Sequence, residues 1–404
     1  MVIIMDMLNR LALLSEWESY YKYKIEKGSL SGKEAEDLRS FIDKEEYLPV
    51  VKRLLRGEEL TPPEKTLINK HKAGKKRIVY TFPREENYVL KLLTFLLREY
   101  DDMFSPNLYS FRKERGVKLA TRNILRIRNL PKCYVYKVDI SDYFNSVDVE
   151  LLIPKISMIL QDDKGLLDFF CRVLRSPYVR FQGEMIEEKK GIMAGVPIST
   201  FFANVYLREL DFYFCERNIP YMRYSDDIIV FGESEESVLE YSKYIKGFLR
   251  EHGLKVNPDK EIFTKPSEEW TFLGFSYHDG VIDISKVSKD KLKAKIRRKA
   301  RALERWARRK GLSSELAARA LIKRFNAKLY ENPIHNELTW SRWFFPVINT
   351  DDSLREIDRY MEDTIRFLAT GKRTKSRFDF RYEDMKALGF RSLVNEYHKH
   401  KEET

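Results

Sequence analysis

The sequence predicts an α+β protein with a mixed, mostly antiparallel sheet in its middle and helices elsewhere. Residues 134–139 alternate in character and end in an acid, as a half-buried strand does. Residues 221–223 and 228–231 are rich in aromatic and β-branched side chains and flank a short polar turn, which is the pattern of a β-hairpin. After Ser285 the apolar residues have helical spacing to the end of the chain, so the C-terminal part is predicted to be all-α.

The hairpin turn, Tyr224-Ser225-Asp226-Asp227, carries two adjacent carboxylates. Neighbouring carboxylates repel each other unless a cation lies between them or one is protonated, so a hairpin that gathers them indicates a Mg²⁺ site. Taken alone, an Asp-Asp dipeptide is more often a solvated turn. Asp139 changes that balance because it ends a strand that can neighbour the hairpin, and two-metal phosphoryl transfer needs such an arrangement.

These residues resemble, in their order and spacing, the motifs of reverse transcriptases. Asp139 with Phe144 is similar to motif A, and the 224–227 turn is similar to motif C. Residues 191–211 resemble motif B, residues 253–260 resemble motif D, and residues 272–275 resemble the primer grip. The five motifs cover roughly residues 75 to 285, and the chain looks most similar to bacterial reverse transcriptases related to those of group II introns.

The resemblance implies the right-hand polymerase fold, with fingers, palm and thumb. Residues 1–65 are predicted to be a helical part of the fingers, and residues 66–284 the fingers and palm. Residues 285–404 are predicted to form a helical, basic thumb. The expected activity is RNA-directed DNA synthesis from deoxynucleoside triphosphates, with an RNA template and a DNA product.

The predicted catalytic and metal-binding acids are Asp139, Asp226 and Asp227, and the resemblance adds the backbone carbonyl of Ile140 as a ligand. Together they are expected to hold two Mg²⁺ ions, with Mn²⁺ as an alternative. One ion activates the primer 3′-hydroxyl, and the other grips the triphosphate and stabilises the leaving pyrophosphate.

Further residues are candidates to contact the nucleotide. Lys75, Arg77 and Arg112 have cationic groups suited to phosphate oxygens, although Lys72, Lys76 and Arg115 are equally basic. Lys260 either protonates the pyrophosphate, which the resemblance favours, or lies on the surface. Phe144 is similar to the steric gate that excludes a 2′-hydroxyl, and a plain core phenylalanine is compatible with that role. Gly195 permits close backbone approach in motif B.

The net charge of +12 is concentrated in one segment. Residues 286–310 contain 13 Lys or Arg against 2 acids, so +11 of the charge lies there. Leu292, Ile296, Ala300, Leu303 and Ala307 are spaced by three or four, which predicts a helix with one packed face. A solvated helix is the alternative, but such helices usually mix signs. The segment is therefore predicted to track phosphates, through Lys289, Lys293, Arg297, Arg298 and Arg301.

Composition places the protein in the cytoplasm, without a membrane partner. The chain has no run of about 20 apolar residues, as a membrane span needs. Its apolar start is broken by Asp6 and Arg10 and lacks a cleavage site, so no signal peptide is predicted. Cys133, Cys171 and Cys215 are far apart, which suits reduced core cysteines, and the six histidines have no zinc-ligand spacing.

Motif B departs from the pattern of intron enzymes. Where those commonly have Pro-Gln-Gly, this chain has Met193-Ala194-Gly195, so the polar side chain beside the template is missing. This favours a stand-alone antiphage reverse transcriptase working with a structured non-coding RNA. The runner-up is an intron-encoded maturase, which predicts an endonuclease module after the thumb. A retron enzyme and a non-catalytic RNA-binding scaffold remain further alternatives, and the priming mechanism and oligomeric state stay open.

Overall fold

The structure is a computed structural model that describes residues 6–27, 30–69, 76–330, 340–372 and 374–403. The fold is α+β with antiparallel sheets and a helical C-terminal region, which confirms the predicted class. The chain divides into two compact units, Met1–Lys24 with Lys33–Pro266 and Ile25–Gly32 with Ser267–Thr404. The domain limits at residues 65 and 284 stay predictions.

The helices before residue 266 form α1 to α12. In chain order they are Met7–Arg10, Leu14–Glu26, Gly32–Asp43, Tyr47–Leu55, Arg84–Leu96, Val117–Leu125, Tyr143–Ser146, Val149–Ile159, Lys164–Arg175, Ser199–Tyr206, Arg208–Glu216 and Glu235–Glu251. Short 3-10 helices lie at Leu97–Met103, Leu130–Lys132 and Pro258–Lys260. Side-chain caps fix several helix starts: the Asp148 carboxylate accepts from the amide N–H of Glu150, and Ser234 opens α12 with a capping box.

The strands of the same region are β1 to β8: Glu64–Asn69, Lys76–Thr81, Tyr134–Asp139, Tyr178–Phe181, Glu184–Glu187, Tyr221–Tyr224, Asp227–Gly232 and Ile262–Thr264. One sheet has the order β6-β7-β3-β8 and is antiparallel throughout. Its β7 strand is buried from Ile228 to Phe231, and helix α12 packs against it. This sheet confirms the strand predicted at residues 134–139 and the hairpin predicted around residues 224–227.

A second sheet has the order β2-β1-β4-β5. Strands β1 and β2 are antiparallel and pair from Glu64 with Thr81 to Asn69 with Lys76, while β1 meets β4 in parallel at Glu64 and Arg180. Residues 70–75, between β1 and β2, are not among the described residues. Lys75, a predicted nucleotide ligand, therefore lies outside the described residues.

The second unit contains a three-stranded antiparallel sheet and a set of helices. Strands β9 to β11 are Trp270–Phe272, Phe275–His278 and Val281–Ile284, in the order β11-β10-β9. Helices α13 to α18 are Lys286–Lys310, Ser314–Leu329, Trp340–Phe344, Asp352–Thr370, Tyr382–Ala387 and Leu393–Glu402, with a 3-10 turn at Lys375–Asp379.

The packed face predicted for helix α13 is confirmed by the residues that the helix buries. The residues it buries are the five predicted ones, Leu292, Ile296, Ala300, Leu303 and Ala307, and it packs against α14 and α16. Gly311 ends the helix with a left-handed backbone, φ 63°, as C-terminal glycines commonly do. Among the described residues, none of the helices combines the length and apolarity that crossing a bilayer would require.

Candidate active site

The turn that carries the paired acids is a tight two-residue connection between β6 and β7. Tyr224 and Asp227 face each other across the hairpin, so Ser225 and Asp226 form the tip. Ser225 has φ 61°, an uncommon conformation for a residue with a side chain. Its amide N–H donates to Ser110 Oγ at 2.8 Å, which anchors the turn from a neighbouring loop. The tip is therefore held in one conformation by residues outside the hairpin.

The sheet brings Asp139 beside this turn. Asp139 ends β3 directly opposite Asp227 in the antiparallel register, and cross-strand partners lie only about 5 Å apart. The Ile140 amide N–H donates to the Asp226 carbonyl at 3.1 Å, so the two chain segments are joined immediately after the strand. The three predicted catalytic acids, which are up to 88 residues apart along the chain, are thus gathered at one edge of the sheet.

The electrostatics of this cluster are those of crowded carboxylates. Burial raises the pKa of Asp226 to about 6, and the negative charges of Asp139 and Asp227 act in the same direction. Asp139 is itself only 4 % exposed. The Lys137 Nζ approaches Asp227 Oδ1 at 3.9 Å. A site in which neighbouring acids disfavour each other's charge gains stability when a cation binds between them.

A lysine and an asparagine from the segment after α12 contact Asp139. Lys260 Nζ donates to Asp139 Oδ1 at 2.6 Å, and Asn257 Nδ2 donates to Oδ2 at 3.3 Å. Partial burial lowers the pKa of Lys260, but the hydrogen bond to Asp139 and the charges of the three acids raise it overall. Lys260 thus supplies the cluster with a positive charge. Asn257 was not among the predicted site residues, although its place three residues before Lys260 was a signal for it.

The residues present fit divalent ions in their chemistry. Carboxylate oxygens are the hard ligands that Mg²⁺ prefers, and the strand register places the three acids together at one end of the sheet. Within the described part of the chain, no three acidic, histidine or cysteine side chains are already spaced as metal ligands. At this cluster, Asp139 is paired with Lys260.

A buried ion pair contacts the hairpin turn that carries the paired acids. Arg223 is 0 % exposed and contacts Asp211 through Nε at 2.8 Å and Nη2 at 2.5 Å. Its Nη1 also donates to the Ser225 carbonyl at 3.2 Å, and Tyr221 Oη donates to Asp211 at 2.9 Å. Sequence reasoning missed this pair. The available signal was an arginine inside a strand of buried residues, which requires a buried partner.

Phe144 follows Asp139 by five residues and lies in helix α7, which contacts motif B. Its ring is half-buried and meets Phe111 edge-on at 6.4 Å between centroids. Its carbonyl accepts the Ile192 amide N–H at 2.8 Å, which ties helix α7 to motif B. A backbone hydrogen bond to motif B therefore fixes the position of Phe144, whose ring is the predicted steric gate.

The close backbone approach predicted at Gly195 is to strand β2 of the same protein. It has φ 101°, and a Cβ at this position would lie 2.9 Å from the Tyr80 carbonyl of β2. The adjacent Ala194 carbonyl accepts the Tyr80 amide N–H at 2.8 Å, and Ala194 is 2 % exposed. Motif B is thus pressed against β2, which explains the requirement for glycine here.

The predicted phosphate-binding cations differ in their surroundings. Arg77 is exposed on β2. The Arg112 side chain is 5 % exposed, and its guanidinium donates to the backbone carbonyls of Asp101, Ser105 and Leu108. Those contacts fix the loop that also carries Ser110. The assignments of both arginines to the nucleotide stay predictions.

The predicted nucleic-acid ligands on α13 fall into two groups. Lys289 and Lys293 both bind the Glu356 carboxylate, at 2.6 and 2.5 Å. Arg297, Arg298 and Arg301 are exposed, and none of them forms an ion pair within the described residues. Of the five predicted contacts, the three arginines are therefore the ones without a carboxylate partner among the described residues.

Comparison with known families identifies the chain. Residues 68–277 match the family described as reverse transcriptase (RNA-dependent DNA polymerase). The match covers more than half of the 404 residues, and the protein belongs to the reverse transcriptase family. Enzymes of this family are nucleotidyltransferases that generally use divalent metal ions.

Several curated relatives are intron proteins of yeasts. The 91 kDa protein in the cob intron of Schizosaccharomyces pombe is 27% identical over 164 residues, which are 39% of this chain and 19% of the relative. The COX1/OXI3 intron 2 protein of Saccharomyces cerevisiae is 23% identical over 278 residues, 54% of this chain and 32% of the relative. The matched segments thus cover no more than about a third of these longer proteins.

Solved structures similar to this chain include telomerases. Apo telomerase from Candida tropicalis aligns with a TM-score of 0.47 and 14% identity, over 82% of this chain and 60% of that one. Telomerase from Candida albicans in complex with a TWJ fragment of telomeric RNA aligns with a TM-score of 0.45 and 13% identity, over 86% and 66%.

Proposed function

We propose that this protein is an RNA-directed DNA polymerase that copies an RNA template into cDNA. The observation that carries this proposal is the convergence of Asp139 with Asp226 and Asp227 at one edge of the β6-β7-β3-β8 sheet. Because the chain belongs to the reverse transcriptase family, we interpret the three clustered acids as the catalytic group. Purified protein with an RNA template, a DNA primer and deoxynucleoside triphosphates should extend the primer. Absence of extension with several primed templates would contradict the proposal.

The chemistry joins the primer 3′-hydroxyl oxygen to the α-phosphorus of the nucleotide and breaks the bond to pyrophosphate. Asp139, Asp226, Asp227 and the Ile140 carbonyl are the groups proposed to hold two Mg²⁺ ions, with Mn²⁺ as an alternative. When bound, such ions activate the hydroxyl and neutralise charge on the phosphates. Lys260 carries its proton next to Asp139 and is proposed to transfer it to the leaving pyrophosphate. Lys75, Arg77 and Arg112 are proposed to bind the triphosphate, and Gly195 to shape the nucleotide site.

Lys260 is expected to compete with divalent ions for Asp139. Replacing it with glutamine removes the ammonium that contacts Oδ1, so the Lys260→Gln protein should bind Mn²⁺ more tightly than wild type in calorimetric titrations. Its rate of primer extension should fall, because the proton donor is lost. The Lys255→Gln variant, altered at an exposed lysine of the same segment, should match wild type in both measurements. Unchanged Mn²⁺ affinity in Lys260→Gln would refute the competition.

Phe144 is proposed to exclude ribonucleotides. The Phe144→Val variant removes most of the ring, which should admit a 2′-hydroxyl and reduce the preference for deoxynucleotides by about tenfold or more. Single-nucleotide incorporation with dNTP and rNTP measures the ratio. The matched control is Phe111→Leu, which trims the neighbouring ring and should leave the ratio nearly unchanged. An active Phe144→Val protein with wild-type discrimination would remove the gate assignment.

The exposed arginines of α13 are proposed to contact nucleic-acid phosphates. Replacing Arg297 and Arg298 with glutamine should weaken RNA binding and reduce the slope of log affinity against log salt by about 1 per lost contact. The control is Lys289→Gln with Lys293→Gln, which removes the same charge from the same helix. Because these lysines bind Glu356, the control should change the slope less. Equal slopes for the two double variants would contradict a specific role for the arginines.

We further propose that the enzyme is a bacterial, cytoplasmic, antiphage reverse transcriptase that copies a structured non-coding RNA. Support comes from motif B, where Met193 is 0 % and Ala194 2 % exposed. Both side chains are packed inside the protein, so this segment offers the template no polar side chain. An intron-encoded maturase is the second candidate, favoured by the yeast intron proteins among its relatives. Sequencing the nucleic acids that co-purify with the protein separates the two: a non-coding RNA with its cDNA supports the first, and intron RNA the second.

A further inference from the structure

A cleft with two basic side chains lies between the segment of residues 58–63 and helix α9. Phe82, Phe169 and Val173 give it an apolar base, and Arg172 and Lys190 line it as cations. None of the proposed catalytic acids is among the described residues that line it.

Lys190 is buried without a counter-ion in the described part of the chain. It is 3 % exposed, and its Nζ donates to the Tyr178 carbonyl at 3.3 Å. Among the described residues, no carboxylate lies within 4.0 Å of this Nζ. Burial lowers the pKa of Lys190 to about 8, although the charges of Glu188 and Glu59 oppose that shift. Burying an ammonium group without a paired charge is costly, so a ligand that supplied the charge would be bound favourably.

Glu188 and two other acids of this region bind partners other than Lys190. Glu188 binds Lys65 and accepts from Tyr80 Oη at 2.5 Å. Glu86 accepts from both the amide N–H and the hydroxyl of Thr61. Glu58 pairs with two arginines on the N-terminal side of the cleft. The fold thus provides partners for these carboxylates and, among the described residues, leaves the lysine without an acidic one.

Arg172 is a second cationic side chain that lines the cleft. Its Nε is buried and has no hydrogen-bond partner among the described residues. An unsatisfied buried donor destabilises the folded protein, so a ligand that accepted its hydrogen bond would be bound favourably. Ser176 contributes a hydroxyl to the same lining. Glu59 is the remaining acid of the cleft and is exposed.

We propose that this cleft is a phosphate-binding site in which Lys190 and Arg172 hold a phosphate group. A phosphate dianion matches two positive charges and presents several acceptor oxygens to the lysine ammonium and the arginine fork. The group can belong to a free nucleotide or to the backbone of a nucleic-acid strand, because both present the same oxygens. The site is separate from the catalytic acids and does not depend on the proposed polymerase activity.

Thermal unfolding of the full chain with inorganic phosphate tests the site. Phosphate should raise the melting temperature of wild type above that in chloride at equal ionic strength, because a ligand of the native state stabilises it. Lys190→Met should lose this phosphate-dependent rise and, in chloride, melt no lower than wild type, because an unpaired buried charge is gone. The exposed neighbour Lys189 provides the control, and Lys189→Met should respond like wild type.

Direct titration separates this site from other basic surfaces. By calorimetry, Lys190→Met and Arg172→Gln should each weaken phosphate binding about tenfold or more, while Glu59→Gln should strengthen it. A rise in melting temperature that survives in both Lys190→Met and Arg172→Gln would overturn the proposal, as would a wild type that does not respond to phosphate. A nucleoside monophosphate that competes with phosphate identifies a free nucleotide as the source. Competition by a short oligonucleotide alone identifies a strand, and both outcomes support the site.

Discussion

The Asp226→Asn protein should lose primer extension by at least about a thousandfold while remaining folded. Asparagine has nearly the same shape as aspartate but carries no charge, so the turn keeps its geometry and loses a proposed metal ligand. Burial and the charges of Asp139 and Asp227 already disfavour ionisation of Asp226. Removing its charge should therefore leave the melting temperature equal to or above that of wild type.

Two measurements on the same preparations check this result. Single-turnover primer extension gives the rate, and thermal unfolding gives the stability. The control is Asp168→Asn, which alters an exposed acid of α9 and should behave as wild type in both. An Asp226→Asn enzyme with a rate near that of wild type would remove Asp226 from the catalytic site.

Breaking the buried pair of Arg223 and Asp211 should cause a large loss of stability. The Arg223→Leu variant leaves the Asp211 carboxylate buried and, among the described side chains, only Tyr221 Oη still donates to it. Removing one partner of a buried pair typically costs about 3–5 kcal/mol. Denaturant unfolding should show this loss, whereas Arg175→Leu, which breaks an exposed pair with Glu150, should hardly change stability.

A double variant separates the structural role of this pair from its effect on the active site. Replacing Arg223 with methionine and Asp211 with leucine removes both buried charges, so it should restore much of the stability. It still lacks the hydrogen bond from Arg223 to the Ser225 carbonyl, which helps to hold the hairpin turn of the proposed active site. We expect the double variant to fold and to have a lower kcat with little change in KM for the nucleotide. A stable double variant with wild-type kcat would mean that the pair contributes to folding alone.

The strands that position the acids could be predicted because their sequence patterns are local. Residues 134–139 alternate, and the hairpin around Ser225 is marked by its turn residues. The buried face of α13 could be predicted for the same reason, since its apolar spacing is helical. The convergence of Asp139 with the hairpin acids was a hypothesis about strand neighbours, and the β3–β7 register brings them together.

The sequence did not predict which cationic side chains pair with which acids or backbone carbonyls. Lys260 binds Asp139, Lys289 and Lys293 share Glu356, and Arg112 donates to backbone carbonyls. Each of these choices depends on which segments meet in the folded chain, and residue type alone does not encode it. The environment of Lys190 was hidden for the same reason, because its sequence neighbour Glu188 binds Lys65 instead.

Catalysis as proposed requires that Asp139, Asp226 and Asp227 bind divalent ions together. Anomalous diffraction from crystals grown with Mn²⁺, primed template and a non-reactive nucleotide measures this directly. We predict Mn²⁺ peaks within about 2.2 Å of oxygens of Asp139 and of at least one hairpin acid, with the ammonium of Lys260 displaced from Oδ1. Peaks that omit Asp139, or no ion at these carboxylates beside a bound nucleotide, would contradict shared metal binding by the three acids.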